Sequence, residues 1–243
     1  ESGKQVIIEE TLQGPEVSLL CLADGQTILP LVSAMDHKRA KDGDKGLNTG
    51  GMGAIAPSPL FTADLAEYTR KQILEPTMAA MRAEGCPFAG CLFVGLMLTK
   101  DGPKVLEYNA RMGDPETQAV LPLLTSDLLA HLIACSKACL HLEQPQFLDE
   151  SACCLVLTSK GYPEQFETGF PITASETDAQ VCFAGVKEQN GQLVTAGGRV
   201  LSVTAVKPSL NEAILAAYAA AEHIDFKDKT YRTDIGQKAL KGL

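Results

Sequence analysis

Two apolar runs each break at an Asp-Gly turn and then resume: "EVSLLCLADGQTILP" over 16–30 and "GCLFVGLMLTKDGPKVLEYN" over 90–109. Apolar run, Asp-Gly, apolar run is the pattern of an antiparallel hairpin, so the first half of the chain is built around antiparallel strands. "QVIIEE" over 5–10 reads as a further, buried strand. Thr62 is placed to cap a long helix that Gly85 stops after Glu84, with Leu74, Met78 and Met81 on one face and a kink at Pro76. A second helix is expected from Ser126 to about Leu142. Between the first hairpin and the first helix, Asp36 to Pro59 carries Gly43, Gly46, Gly50, Gly51 and Gly53 without sustained periodicity, a loop long enough to argue for function or mobility.

Beyond "EQPQFLDE" the texture changes to short β-branched segments, "SACCLVLTS", "QVCFAGVKE" and "RVLSVTAV", with an Asn-Gly hairpin turn in "QNGQ". One helix stands out there, opened by Ser209 with Glu212 three residues on, a capping box. The class is therefore α+β, an antiparallel sheet with helices over 1–145 and a small β-rich domain over 146–243.

Composition narrows the function. The net charge is −9, the pI is near 5.0 and the cations are scattered, so a nucleic-acid partner is not expected. The apolar run "CLFVGLML" at 91–98 is far short of the ~20 residues of a spanning helix, and no membrane partner is expected either. Eight cysteines without a CxxC, mostly inside apolar runs, read as free core thiols of a reducing, cytoplasmic protein. His131, Cys135 and Cys139 are the exception to weigh: at i, i+4, i+8 of the second helix they offer either three zinc ligands or plain packing.

The densest polar cluster is "VLEYNARMGDPETQ" over 105–118. On a strand Glu107 and Asn109 share a face, so a carboxylate and an amide oxygen converge there as hard ligands of the kind Mg²⁺ takes when it carries nucleotide phosphates. Arg111 is two residues further, within reach of negative charge on a transferring phosphoryl group. An exposed strand edge with a salt-bridging arginine accounts for the same pattern.

The order of segments adds to this. "VIIEETLQGPEVS", "DHKR", "GLNTGGMGA", "FVGLMLTKDGPKVLEYNARMGDPETQ", "SDLL", "SKGYP", "GGRVLSVTA" and "YRTDIG" follow one another as in the glycinamide ribonucleotide synthetase (phosphoribosylamine-glycine ligase) family of ATP-grasp enzymes, which the chain resembles over essentially its whole length. Met112 stands where that family usually has Phe or Leu, and Leu47 where it usually has Pro. The resemblance implies the C-terminal part of an ATP-grasp domain followed by the ligase's small β-rich domain. It also implies ATP and Mg²⁺ or Mn²⁺ as cofactors, and glycine and 5-phosphoribosylamine as substrates joined through glycyl phosphate. The family's nucleotide-fold domain and the front of its grasp precede the point matched by Glu1, so an N-terminal half is expected in the same chain or as a separate partner, and the 243 residues alone are expected to be inactive.

Residue by residue, the resemblance assigns Glu9, Glu10 and Leu12 to the adenine-binding hinge and Glu16 to the ribose. It assigns Glu107 and Asn109 to the metal and Arg111 to the phosphoryl group. Asp36, His37 and Lys38 become anchors of a substrate loop in which Asn48, Thr49, Gly50, Gly51, Met52 and Gly53 bring backbone N–H groups to phosphate or carboxylate. Asp114 and Glu116 are assigned to a substrate amine, or serve only as acids at a helix N-terminus. Lys160 and Arg199 are assigned to the ribose 5-phosphate, or are ordinary turn cations. Two other readings stand beside the ligase: a non-catalytic nucleotide-binding or assembly half of a split enzyme, and another ATP-grasp carboxylate-amine ligase of purine synthesis.

Overall fold

The computed structural model describes residues 6–240, a mixed α+β chain whose sheets are antiparallel. β1 (Glu16–Asp24) is buried from Val17 onward and turns back through Gly25 into β2 (Ile28–Pro30), so the first expected hairpin forms. Val6, Ile7 and Ile8 differ from expectation: they form no strand and stand 77–92% exposed, because no neighbouring strand or layer among the described residues lies over them. Gln5 lies outside the described residues.

The glycine-rich stretch is also more ordered than its sequence suggests. β3 (Met35–Asp36) pairs with β6 (Gly53–Ala56), and between them β4 (Arg39–Lys41) and β5 (Lys45–Asn48) form a small hairpin. Glycines hide strands from a periodicity count because they carry no side chain to alternate. Thr62 caps the next helix as expected, accepting from the Leu65 N–H. That helix is α1 (Ala63–Thr69) and α2 (Glu75–Ala83) joined by a π turn at Arg70–Leu74, a widened turn that accommodates Pro76, which lacks an N–H and whose ring crowds the carbonyl four residues back.

β7 (Ala89–Thr99) and β8 (Gly102–Asn109) form the second expected hairpin, and β7 runs beside β1 for nine residue pairs, giving sheet order β2-β1-β7-β8. Leu19, Cys21 and Ala23 of β1 pack with Leu74 and Met78 of the helix, while Leu20 on the opposite face meets Phe93, Ala119, Val120 and Leu123. α3 (Glu116–Val120) thereby sits against the centre of the molecule. α4 (Leu128–Ser136) starts two residues later than expected, with the Asp127 carboxylate accepting from the N–H groups of Leu129 and Ala130. It ends at Ser136, so Cys139 lies past the helix and the three zinc candidates do not share one helical side. Cys135 is buried with its thiol donating to the Ala23 carbonyl, and both His131 ring nitrogens are engaged, with Glu143 at 2.5 Å and Ser126 at 2.7 Å.

β9 (Ser151–Ser159) is the hub of the second sheet. There follow β10 (Thr173–Ala174), β11 (Gln180–Phe183), β12 (Val186–Gln189), β13 (Gln192–Thr195) and β14 (Arg199–Lys207), with the "QNGQ" turn joining β12 to β13 as expected. α5 (Leu210–Ala221) carries the full Ser209–Glu212 capping box. After it come β15 (Ile224–Asp225), β16 (Lys229–Thr230) and α6 (Gln237–Leu240). The sheet order β11-β14-β9-β6-β3 draws strands from both sides of residue 145. Ala213, Ile214, Ala217, Ala220 and Ala221 of α5 close its apolar face, their small side chains allowing the helix to lie close against the strands.

Candidate active site

The two sheets meet where the chain leaves β3, and a cleft of about 270 Å³ opens there between them. Asp36, Lys38, Asn48, Thr49, Gly50, Glu107, Arg111, Asp114 and Glu116 line it, together with Phe93. Nine side chains spread over eighty residues are thus brought to one place. A second cleft of about 540 Å³ adjoins it through Asp36, Lys38 and Asn48, and has Glu16 and His37 in its wall.

One wall is β8. Glu107 lies opposite Gly95 and Asn109 opposite Phe93 in the β7 register, so the two point to the same face as strand alternation demands, and of the two only Glu107 lines the cleft. A Cβ on Gly95 would lie 3.2 Å from Cγ of Glu107, so the glycine leaves the carboxylate room to turn toward the cleft. Lys38 faces it: its Nζ is 2.8 Å from Glu16 and 3.8 Å from Glu107. Burial works against the Lys38 charge, but its bond to Glu16 and the carboxylates of Glu107 and Asp36 outweigh it and hold the ammonium above the usual lysine range. Arg111 donates to the Met112 carbonyl at 2.9 Å and is exposed to the cleft.

The other wall is the loop from Asp36 to Gly53, held from several directions. Arg199 donates to the Gly50 carbonyl at 2.7 Å, the Asp114 carbonyl at 2.8 Å and the Asp114 carboxylate at 2.9 Å. Gly51 has φ +110°, and a Cβ there would come within 2.3 Å of Pro115, so only glycine lets the loop lie this close to the Asp114–Pro115 turn. The loop N–H groups are already donated: Thr49 to the Lys38 carbonyl, Gly50 to the Tyr162 hydroxyl, Gly51 to the Thr49 hydroxyl and Met52 to the His37 carbonyl. In this conformation the loop offers side chains rather than the free N–H groups expected of it. Met52 is buried in the core, and Gly53 opens β6.

His37 is buried as well. Its Nδ1–H donates to the Gly53 carbonyl at 3.2 Å and its Nε2 accepts from the Gly236 N–H at 3.1 Å, so the ring is a pin between loop and chain end. Burial, and then the Arg232 charge, push its pKa down to about 4, which keeps it neutral.

The floor holds two carboxyls. Glu116 is 3% exposed and accepts from the Ser18 hydroxyl at 3.0 Å, and one oxygen of Asp36 is shut off from solvent without a hydrogen-bond partner. Burial, and then the charge of Glu116, raise the Asp36 carboxyl well above its ordinary range; burial raises Glu116 too, against the Ser18 bond. A cation between them would relieve both. Asp114, by contrast, is taken by Arg199 and by Gln118 at 2.8 Å.

The remaining candidates lie elsewhere. Glu9 and Glu10 are exposed, Glu10 pairing with Lys104 of β8, and Leu12 is part-buried; none of the three reaches either cleft. Lys160 lies in a separate groove with Asp228 at 3.6 Å. Reading along the chain missed Ser18, a polar residue inside an apolar strand, and Tyr162 and Arg232, which sit in quoted motifs that were given no role for them.

Comparison with known proteins bears on this arrangement. The sequence model described as phosphoribosylglycinamide synthetase, ATP-grasp (A) domain, matches residues 1–117, and that of the same enzyme's C domain matches residues 152–238. The chain belongs to the phosphoribosylglycinamide synthetase family. A bifunctional purine biosynthetic protein of Pichia angusta is 51% identical over 99% of the chain and 31% of its own length. A phosphoribosylamine–glycine ligase of Rhizobium meliloti is 46% identical over 98% of the chain and 57% of its own length. The crystal structure of the Thermotoga maritima phosphoribosylamine–glycine ligase superposes with a TM-score of 0.85 at 36% identity, covering 93% of this chain and 57% of that one. The chain therefore spans between 31% and 57% of the length of these relatives. Among the described residues no helix is long and apolar enough to cross a membrane.

Proposed function

We propose that this chain supplies one side of the site in which ATP drives the joining of glycine to 5-phosphoribosylamine, giving glycinamide ribonucleotide, ADP and phosphate through glycyl phosphate. The observation that carries this is the single cleft in which Glu107, Arg111, Lys38, Asp36 and Glu116 converge. It fits a reaction that activates a carboxylate by phosphorylation and then delivers an amine to it.

Glu107 and Asn109 are the residues to hold Mg²⁺ or Mn²⁺. One carboxylate and one amide oxygen on a shared face is a donor set that leaves places for phosphate and water. When bound, the metal neutralises charge on the transferring phosphoryl oxygens. Arg111, two residues past Asn109 and in the same cleft, would stabilise the same charge, while Lys38 bridges Glu16 and Glu107. Glu16 would meet the ribose of ATP once Lys38 yields it. Asp36 with Glu116, rather than Asp114, is the seat for a substrate ammonium, and Asp114 instead anchors Arg199 and the Gly50–Gly51 loop. Lys160, in its outer groove, remains a candidate for the 5-phosphate only if the phosphate end of the substrate extends past the Tyr162 turn.

The parts 1–145 and 146–243 share one sheet, and we propose them as functional divisions rather than separate bodies. Because the relatives carry much sequence beyond the matched region, the proposal includes a second wall for the nucleotide, in cis or as a separate chain, and a cytoplasmic setting, in keeping with eight free cysteines. A product assay by mass spectrometry decides it: the full-length protein forms glycinamide ribonucleotide from ATP, glycine and 5-phosphoribosylamine, and residues 1–243 alone do not. Turnover with another amino acid in place of glycine, and none with glycine, overturns the substrate assignment. Product from residues 1–243 alone overturns the need for a second wall.

A further inference from the structure

The β4–β5 hairpin leaves the site at Lys38 and returns to it at Asn48, yet among the described residues its strands pair only with each other, and β5 is exposed throughout. Such a hairpin would swing unless something outside it held it. What holds it is the segment after β16. Arg232, 2% exposed, donates from its Nη1 to the Asp44 carboxylate at 2.9 Å and the Arg39 carbonyl at 3.1 Å, and from its Nε and Nη2 to Asp234 at 2.7 and 2.8 Å. Asp234 in turn accepts from the Gly43 N–H at 2.8 Å. Asp42 accepts from the Thr233 N–H at 2.9 Å and its hydroxyl at 2.5 Å, and Lys238 pairs with Asp44. The tip of the hairpin and the outgoing strand are thus both fastened to residues 232–238, and His37 is pinned to Gly236 beside them.

A buried arginine is an expensive way to fill space, and an apolar side chain would serve packing as well or better. What its planar fork adds is direction, because it fixes several acceptors at set angles where an ammonium or a methyl group does not. We propose that Arg232 is a positioning residue for the substrate wall: by latching the β4–β5 hairpin it sets where Asn48–Gly51 stand in the cleft. This rests on reading that cleft as the ligase's acceptor site. The metal wall hangs on β7 and β8, and Lys38 is held to it by Glu16 and Glu107 rather than by the latch. The latch therefore acts on glycine and amine use and leaves nucleotide use alone.

The test compares wild type, Arg232→Met, Arg232→Lys and Asp44→Asn in the full-length ligase, by amide hydrogen exchange and steady-state kinetics. In Arg232→Met, exchange at residues 40–50 is expected to rise at least tenfold with β9 and β14 unchanged, and kcat/KM for glycine to fall about tenfold while KM for ATP stays within twofold. Arg232→Lys is expected to restore only part of both effects, because a lysine cannot reproduce the fork. Asp44→Asn, on the surface side of the latch, gives a milder form of the same split and serves if Arg232→Met does not fold. The latch is overturned by unchanged exchange in the hairpin or by exchange that rises equally in β9 and β14. The positioning role is overturned if the hairpin loosens without a change in glycine kinetics, or if ATP and glycine constants move together. If the hairpin loosens as expected while wild type shows no glycine-dependent turnover, the latch stands and the ligase assignment is what fails.

Discussion

The two walls of the cleft are built on opposite plans. The wall proposed for the metal is local: Glu107 and Asn109 are two residues apart on β8, and the alternation of one strand aims both. The wall proposed for the substrates is assembled from far apart, with Asp36 near Glu116, Gly50 under Arg199, and His37 against Gly236. A wall made by one strand keeps its shape as long as the sheet stands. A wall made by cross-links can lose its geometry while the sheets survive.

The largest effect that would break this division belongs to the metal wall. Glu107→Gln in the full-length protein should, on the proposed function, lower kcat/KM for Mg·ATP at limiting Mg²⁺ by about 100-fold, or about 3 kcal/mol, and leave KM for glycine within about twofold. Steady-state assays at two Mg²⁺ concentrations check this, and an equal loss for both substrates would show that the walls are not separable.

His37 provides the next. Its pKa is near 4 in the fold and about 6.5 in the unfolded chain, so below pH 6.5 the unfolded state takes up the proton that the folded state refuses. Its contribution is fully present above pH 6.5 and is lost as pH falls toward 4, on the order of 3 kcal/mol in all. Urea unfolding of wild type and His37→Gln between pH 7.5 and 4.5 should show the steeper acid loss in wild type. Parallel curves would mean that the pin is not buried in solution.

Arg199→Met should reduce kcat/KM for glycine by about tenfold without changing KM for ATP, since it removes three bonds that tie Gly50 to Asp114. A selective rise in the KM for 5-phosphoribosylamine instead would return Arg199 to the phosphate role its sequence context implies. The smallest effect has the opposite sign. Asp36→Asn should stabilise the ligand-free protein by about 1 kcal/mol, seen as a higher melting temperature, while weakening use of the amine substrates. A drop in melting temperature would mean that the Asp36 carboxyl is needed by the fold rather than by a ligand.

Much of this was legible along the chain. Both Asp-Gly hairpins, the Asn-Gly turn, the Thr62 cap and the Ser209 capping box form where their residues stand, because each is decided within four or five positions. The same locality puts Glu107 and Asn109 on one face of β8. Val6 to Ile8 were misread for the converse reason: an apolar run becomes a buried strand only if another layer covers it. The Asp36–Pro59 stretch concealed four strands, and the loop N–H groups expected to be free were committed to Lys38, Tyr162, Thr49 and His37.

Local sequence determined which elements form, where they are capped and turned, and which face of β8 bears the carboxylate and the amide, since backbone dihedrals and side-chain alternation depend on near neighbours. Tertiary structure alone decided that Asp114 serves Arg199 while Glu116 faces Asp36, that His37 is a neutral pin, and that Arg232 reaches back nearly two hundred residues to Asp44. Those roles depend on burial and on partners within about 4 Å. Only the packing of the two sheets against each other brings such residues together and removes the water that would otherwise set their charge.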